Sequence, residues 1–262
     1  VLMGEGRHRW EFMILPGESA EAISTDASVE AMLEPWGIKG AVTLERKAVY
    51  TFRARIAEQW RKGRVLLAGD AAHQTPPFAG QGMCSGLRDA ANLAWRLAAI
   101  IRDGASTALL DTYREEREPN LRATIEMAVM MGRTVCITDP QAAAMRDAQM
   151  LAARAAGQSP DGAIEYPPIA SGLILAGSAG AGSYFPQAVA GEARLDDVLG
   201  TGPWLIDRAA LGQAELIPFR AALTAWLDSH DAEAVLVRPD RHVFGTGSAA
   251  ALAEAWAAAL RG

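Results

Sequence analysis

The sequence holds 262 residues, 50% hydrophobic and 21% charged. That composition suits an ordinary globular chain with room for one large or two smaller units. A net charge of −6 and a pI near 5.3, without a basic patch, argue against a nucleic-acid surface.

In chain order, residues 8–15 alternate. Trp10, Phe12 and Ile14 share one face and Arg9, Glu11 and Met13 the other, which predicts a strand ended by Pro16-Gly17. Trp10 and Phe12 read first as core residues. Residues 28–36 predict a short helix started by Ser28 and stopped around Pro35 to Gly37. Alternation returns over 41–52 through Val42, Leu44, Tyr50 and Phe52. The apolar run from Val65 to Ala68 predicts a buried strand that stops at Gly69-Asp70. A loop follows, stiffened by Pro76-Pro77 and loosened by Gly80 and Gly82, before a helix that runs to about Ile101.

That helix is apolar on two sides. Leu87, Ala91, Ala94, Ala98 and Ile101 form one row, and Met83, Ala90, Leu93, Leu97 and Ile100 another. Burial is expected on these rows, with Arg88, Asn92 and Arg96 as the polar strip. Ser106 predicts the cap of a helix over 107–118, Pro119 a kink or restart before 120–135, and Asp139-Pro140 the start of a third helix to about Ala156. Residues 158–186 are rich in Gly, Ser and Pro and read as a linker. Beyond them come a strand at 204–206, a helix at 219–229, a hairpin around Pro239-Asp240 and a closing helix at 249–260. The longest uncharged stretch, Tyr166 to Gly191, is too rich in Gly, Pro and Ser for a spanning helix, so no membrane partner is expected. Two cysteines, Cys84 and Cys136, form neither a disulfide framework nor a metal set, and fit a cytoplasmic location. The histidines His8, His230 and His242 lack metal-ligand spacing.

Around the start of the long helix the residue types suit an anionic, hydroxyl-bearing ligand. Gly80 and Gly82 let the backbone come close to a bound group. The first helical turn leaves N–H groups without partners, and the helix dipole favours negative charge at Gly82 to Ser85. Asp70, just past the strand end, is placed to accept hydrogen bonds from sugar-like hydroxyls.

At these residues the sequence becomes specific. The ordered set Gly69-Asp70-Ala71-Ala72-His73, Pro76-Pro77, Gly80-Gln81-Gly82-Met83 and Asp89-Ala90-Ala91-Asn92-Leu93 resembles the second flavin motif of the class A FAD-dependent aromatic hydroxylases, the flavoprotein monooxygenases. The hydroxyphenylpropionate hydroxylase group is the most similar. The resemblance extends through Arg9 to Phe12, Tyr50 to Phe52, Leu110 to Tyr113, Phe185 to Gln187 and Leu195 to Gly200, so it covers almost the whole chain.

The resemblance implies an α/β (α+β) fold: the C-terminal portion of an FAD-binding hydroxylase fold plus a small thioredoxin-like C-terminal domain. The expected limits are 1–157 for a partial FAD- and substrate-binding region, 158–186 for the linker and 187–262 for the last domain. The last domain has no cysteine, so thiol–disulfide chemistry is excluded, and packing or subunit contact in a homodimer is the role left to it. The resemblance implies FAD as cofactor, NAD(P)H and O₂ as co-substrates, a phenolic or other aromatic substrate, and oxygen transfer through a flavin C4a-hydroperoxide.

Gly69 and Asp70 would meet the ribityl or ribose hydroxyls. The backbone of Gly80, Gln81, Gly82, Met83 and Cys84 would face the flavin pyrimidine edge. The Pro77 carbonyl would face the flavin and the substrate hydroxyl, the one catalytic contact expected here. Cys84 stands where the family usually has asparagine. His73 is expected to make a structural hydrogen bond, and Asp89 and Asn92 to brace the helix.

No Gly-x-Gly-x-x-Gly turn follows a first strand; Gly177 to Gly182 lies in the linker and leads into Tyr184-Phe185-Pro186. The chain therefore reads as the C-terminal part of a longer enzyme, and alone is expected to hold FAD weakly or not at all. Two other readings remain open: a polyketide or antibiotic hydroxylase of the same family, and a catalytically inactive module for packing or dimerisation.

Overall fold

The computed structural model describes residues 1–38, 40–158 and 167–262. Its first elements are small. β1 (Leu2–Gly4) and β2 (Arg7–His8) form a hairpin whose turn places Gly4, Glu5 and Gly6 at positive φ. α1 (Ala20–Ile23) is capped by Ser19. α2 (Asp26–Leu33) is capped by Thr25, whose hydroxyl accepts the Ser28 N–H; Gly37 in the left-handed region closes the following 3₁₀ turn. The helix thus starts ahead of Ser28, because Thr25 already provides the capping oxygen.

Residues 9–15 and 41–52 do not join a sheet among the described residues. Alternation marks which side chains share a face, but a strand also needs a neighbour to take its N–H and C=O groups. Beyond Arg9, which exchanges backbone hydrogen bonds with Val1, these segments have no such neighbour among the described residues, and Phe12, Val42, Leu44, Tyr50 and Phe52 stay exposed.

β3 (Arg55–Ile56) is followed by the tight hairpin β4 (Arg61–Lys62) and β5 (Val65–Leu66). The expected buried strand is this two-residue edge. Val65 is 66% exposed, because a lone hairpin leaves one face in solvent. β6 (His73–Gln74) pairs antiparallel with β3.

α3 (Gly82–Asp103) runs to a left-handed Gly104. The expectation holds only in part: Leu93 and Ile100 pack against buried clusters, but most of the polar strip is buried as well. Ser85, Asp89, Asn92, Trp95, Arg96 and Ala99 are buried, while Met83, Leu87 and Ile101 are exposed. A polar strip can be buried when each group finds a charged or hydrogen-bonding partner, and those partners come from far along the chain.

Ser106 caps only a 3₁₀ turn, Thr107–Leu110. α4 (Thr112–Val135) then passes through Pro119 without a break. Proline there removes one helical hydrogen bond. Buried contacts of Glu116, Arg117 and Asn120 on the same stretch hold the helix together. α5 (Pro140–Ala155) is capped by Asp139, which accepts the Ala142 N–H, and buries none of its residues.

Of the expected linker, 159–166 lies outside the described residues. The rest is a packed strap. Ile169, Leu173 and Phe185 are buried. Gly172, at φ +92°, lies so close to α4 that a Cβ there would stand 2.5 Å from Glu116 Cγ.

The C-terminal unit contains the hairpin β7 (Val189–Ala190) and β8 (Ala193–Arg194), α6 (Leu195–Leu199), β9 (Trp204–Asp207), α7 (Arg220–Ser229), β10 (Ala234–Val237), β11 (Val243–Gly247) and α8 (Ala249–Arg261). β10 lies between β9 and β11, antiparallel to both. Alternate residues of this central strand enter two cores. Val235 and Val237 pack with Ile206, Phe219, Leu223 and Leu227 under α7. Ala234 and Leu236 pack with Phe244, Leu252 and, from α3, Trp95 and Ala99. One core therefore belongs to both parts of the chain.

A buried ionic cluster crosses the same seam. Arg238, at the end of β10, donates from Nη1 and Nη2 to the two carboxylate oxygens of Glu116 on α4 at 3.0 and 2.7 Å. It also donates to Asp240 Oδ2 at 2.6 Å and to the Leu173 carbonyl at 2.9 Å. From α3, Arg96 Nη2 lies 2.7 Å from Glu116 Oε2, and Asn92 Nδ2 donates to Glu116 Oε2 at 2.8 Å and to Asp240 Oδ2 at 3.2 Å. Burial opposes the charge on Glu116, but Arg238 and Arg96 outweigh it and bring its pKa down from 4.5 to about 2. The same contest, won by Arg238, holds Asp240 well below the usual carboxylate range.

Glu116→Gln leaves Arg96 and Arg238 buried with one carboxylate between them, and is expected to cost about 3–5 kcal/mol in urea unfolding at neutral pH. A lowered carboxylate pKa stabilises the fold above the unfolded value and loses that effect as pH falls through the folded value. The difference between wild type and variant should therefore shrink between pH 4.5 and about 2; acid titrations of both check it.

Candidate functional site

The stretch from β5 to α3 is built on a close backbone approach. Gly69, at φ +57°, opens the 3₁₀ turn Gly69–Ala71. A Cβ on Gly86 would stand 3.4 Å from Gly69 Cα, so the turn lies directly on α3, one turn in from its start. Two residues without side chains permit that approach. Asp70, the next residue, is exposed, and no hydrogen bond to its carboxylate is made among the described residues.

The chain returns through Pro76-Pro77. Pro77 opens the 3₁₀ turn Pro77–Ala79, and the Gly80 N–H donates to the Pro77 carbonyl at 2.9 Å. Gly80 lies in the left-handed region at φ +62°. α3 begins with Gln81 as N-cap residue and no side-chain cap. The first turn-closing bond runs from Ser85 N–H to Gln81 O at 2.8 Å; the N–H groups of Gly82, Met83 and Cys84 have no partner among the described residues. A Cβ on Gly80 or Gly82 would meet nothing within 4 Å, and Met83 is 77% exposed. Gln81 Oε1 accepts from Arg88 Nη2 at 3.2 Å.

Tertiary packing thus brings Gly69, with the exposed Asp70 beside it, onto α3, while Pro77, Gly80, Gln81, Gly82, Met83 and Cys84 form the turn and first helical residues that open it; this is the candidate surface. Free amides, an unengaged carboxylate and space above two glycines together suit a group with hydrogen-bond acceptors at one edge and hydroxyls at another. Two recesses, of about 190 and 420 Å³, contain none of these residues. No set of three or more His, Cys, Asp or Glu among the described residues is arranged for a metal ion, and no described helix is long and apolar enough to cross a membrane.

Behind this surface sits Asp89. Its Oδ2 accepts the Gly69 N–H at 3.0 Å and the His73 Nε2–H at 2.6 Å, and its Oδ1 accepts Arg117 Nε–H at 2.9 Å. Burial works against its charge, but His73, Arg117 and Gly69 overcome it and hold the carboxyl below the usual range. One carboxylate therefore ties the turn at Gly69, β6 and α4 to α3. His73 makes a structural hydrogen bond through Nε2, and Asp89 and Asn92 brace the helix.

Sequence reasoning missed Glu116, Arg117, Arg238 and Asp240, whose side chains fix α3 from behind. A signal existed for Arg238: an arginine directly after the apolar run Ala-Val-Leu-Val, two residues before an aspartate. Nothing local pairs it with Glu116, which is 122 positions away.

Residues 8–128 match the FAD binding domain family, and residues 207–262 the HcaD C-terminal domain family. The probable NADH-specific resorcinol 4-hydroxylase of Rhodococcus jostii (strain RHA1) is 39% identical, covering 96% of this chain and 52% of that protein. The 3-(3-hydroxy-phenyl)propionate/3-hydroxycinnamic acid hydroxylase of Mycolicibacterium gilvum (strain PYR-GCK) is 35% identical, covering 92% and 52%. Among solved structures, aklavinone-11 hydroxylase in complex with FAD and aklavinone is similar at a TM-score of 0.63 and 25% identity, covering 93% of this chain and 52% of that one. The flavin-dependent monooxygenase PieE, at 24% identity and a TM-score of 0.69 over 94% of this chain and 56% of its own, shares the fold. The relatives of this chain are FAD-dependent aromatic hydroxylases, and the chain spans about half the length of the curated ones it matches.

Proposed function

We propose that this chain forms one side of the flavin site in an FAD- and NAD(P)H-dependent monooxygenase that hydroxylates a phenol. The observation that carries the reading is the uncapped start of α3 beside Asp70, at the residues of the flavin motif. When bound, FAD supplies the reduction of O₂ and the transfer of one oxygen atom. The N–H groups of Gly82, Met83 and Cys84 donate to the acceptor edge of the flavin, and the α3 dipole favours negative charge there. The Asp70 carboxylate accepts hydrogen bonds from the sugar-like hydroxyls, with Gly69 giving the backbone room. The Pro77 carbonyl accepts from the substrate hydroxyl and orients the ring. Asp89 and the Glu116 cluster keep these groups in place without reorganisation during the reaction.

The division at 1–157, 158–186 and 187–262 belongs to this proposal. The last part is read as a thioredoxin-like domain whose role, without cysteine, is to pack against α3 and α4. A cytoplasmic setting and a homodimer complete the reading. Names and identities of the relatives favour NADH and a single-ring phenol: the resorcinol and hydroxyphenylpropionate hydroxylases are 39% and 35% identical, aklavinone-11 hydroxylase 25%.

In the protein carrying this chain, resorcinol or 3-hydroxyphenylpropionate should stimulate NADH oxidation and be consumed with hydroxylated product. Stimulation by aklavinone alone would move the assignment to polyketides; a flavin-free protein that none of these affects would reject the catalytic reading. Asp70→Ala removes hydrogen bonds to a charged acceptor and should weaken FAD binding about 10- to 100-fold. Flavin content after gel filtration reads this directly, and unchanged content removes Asp70 from the site.

A further inference from the structure

Gly132 lies on the buried side of α4 with ordinary helical backbone, so left-handed freedom does not account for it. In a helix interior glycine costs about 1 kcal/mol relative to alanine. The surrounding space does account for it. A Cβ at position 132 would stand 2.5 Å from Phe78 Cε2 and 2.6 Å from Cδ2, well inside van der Waals contact. Phe78 is the middle residue of the turn Pro77–Ala79, and this turn packs on α4. Its ring occupies the notch left by the absent side chain.

Few other ties hold this loop. The β3–β6 ladder ends at Gln74. From there to the start of α3, the one backbone hydrogen bond among the described residues is the local Gly80 N–H to Pro77 carbonyl contact. The side-chain tie is Gln81 with Arg88. Phe78 is 39% exposed, so its anchoring rests on the ring face that meets Gly132.

We propose that Gly132 is a positioning residue: its notch seats Phe78 and thereby sets the Pro77 carbonyl and the Gly80 corner against the start of α3. The consequence for catalysis rests on the reading of residues 69–84 as a flavin-contacting edge. The seating itself does not, and is tested without cofactor.

Gly132→Ala strengthens the helix locally but evicts the ring. In cofactor-free protein, hydrogen–deuterium exchange of the Gly80 amide, the hydrogen-bonded N–H of the loop, should speed about tenfold, while α8 is unchanged and the melting temperature does not fall. Phe78→Ala should give the same local exchange, and the double variant should be no faster than Phe78→Ala alone. In the flavin-loaded enzyme, Gly132→Ala should lower the share of NADH oxidation that ends in hydroxylated product several-fold, with KM for NADH unchanged. Unchanged exchange of the Gly80 amide, additive effects in the double variant, or an unchanged product share overturns the proposal. A protein that takes up no FAD instead sinks the reading of the site, and the exchange experiment still decides the seating.

Discussion

The carboxylate of Glu116 is the point on which the rest of the structure depends. It is fully buried between Arg96 of α3 and Arg238 of the C-terminal hairpin, and it also accepts the Leu173 N–H of the strap at 2.7 Å. Four separate stretches of chain therefore meet on one side chain. With Asp240, the cluster sets two carboxylates against two guanidinium groups, so no net charge is buried. Such a cluster is not needed for large net stability, because apolar packing of equal volume often does as well. What it supplies here is direction: charges and planar guanidinium groups accept few geometries, so α3 has one place to sit.

That fixes the mouth of α3 from behind. Asp89 does the same closer to the mouth, joining Gly69, His73 and Arg117. The open surface at Gly82 to Cys84 is thus backed by a rigid polar wall. Amides already in position do not have to reorganise when charge develops on a bound group, which is the physical basis of electrostatic preorganisation. Such ties are few at the Pro76 to Gly80 loop, where a ring in a notch takes their place.

The family-level division into a flavin-binding part and a C-terminal part is less sharp in this molecule than two domain names suggest. Trp95 and Ala99 of α3 share a core with Ala234, Leu236 and Leu252, and the Arg96 guanidinium lies 4.7 Å from the Trp95 ring centroid. The C-terminal sheet is part of the support of the flavin motif. Met83 and Leu87 of α3, and Tyr50 and Phe52 before β3, are exposed and lack comparable packing among the described residues.

By itself the sequence determined the local features: the long helix after Gly82, the cap at Asp139, the hairpin around Pro239-Asp240 and the family of the flavin motif. These depend on residue types within a few positions of one another, and periodicity, caps and turn residues record them. Only the tertiary structure decided the rest. It put the polar strip of α3 inward, because Glu116, Asp240 and Arg117 arrive from distant positions to neutralise it. It carried α4 straight through Pro119, because buried contacts outweigh one missing hydrogen bond. It left 9–15 and 41–52 without ladders, because alternation specifies a face but cannot provide a neighbouring strand.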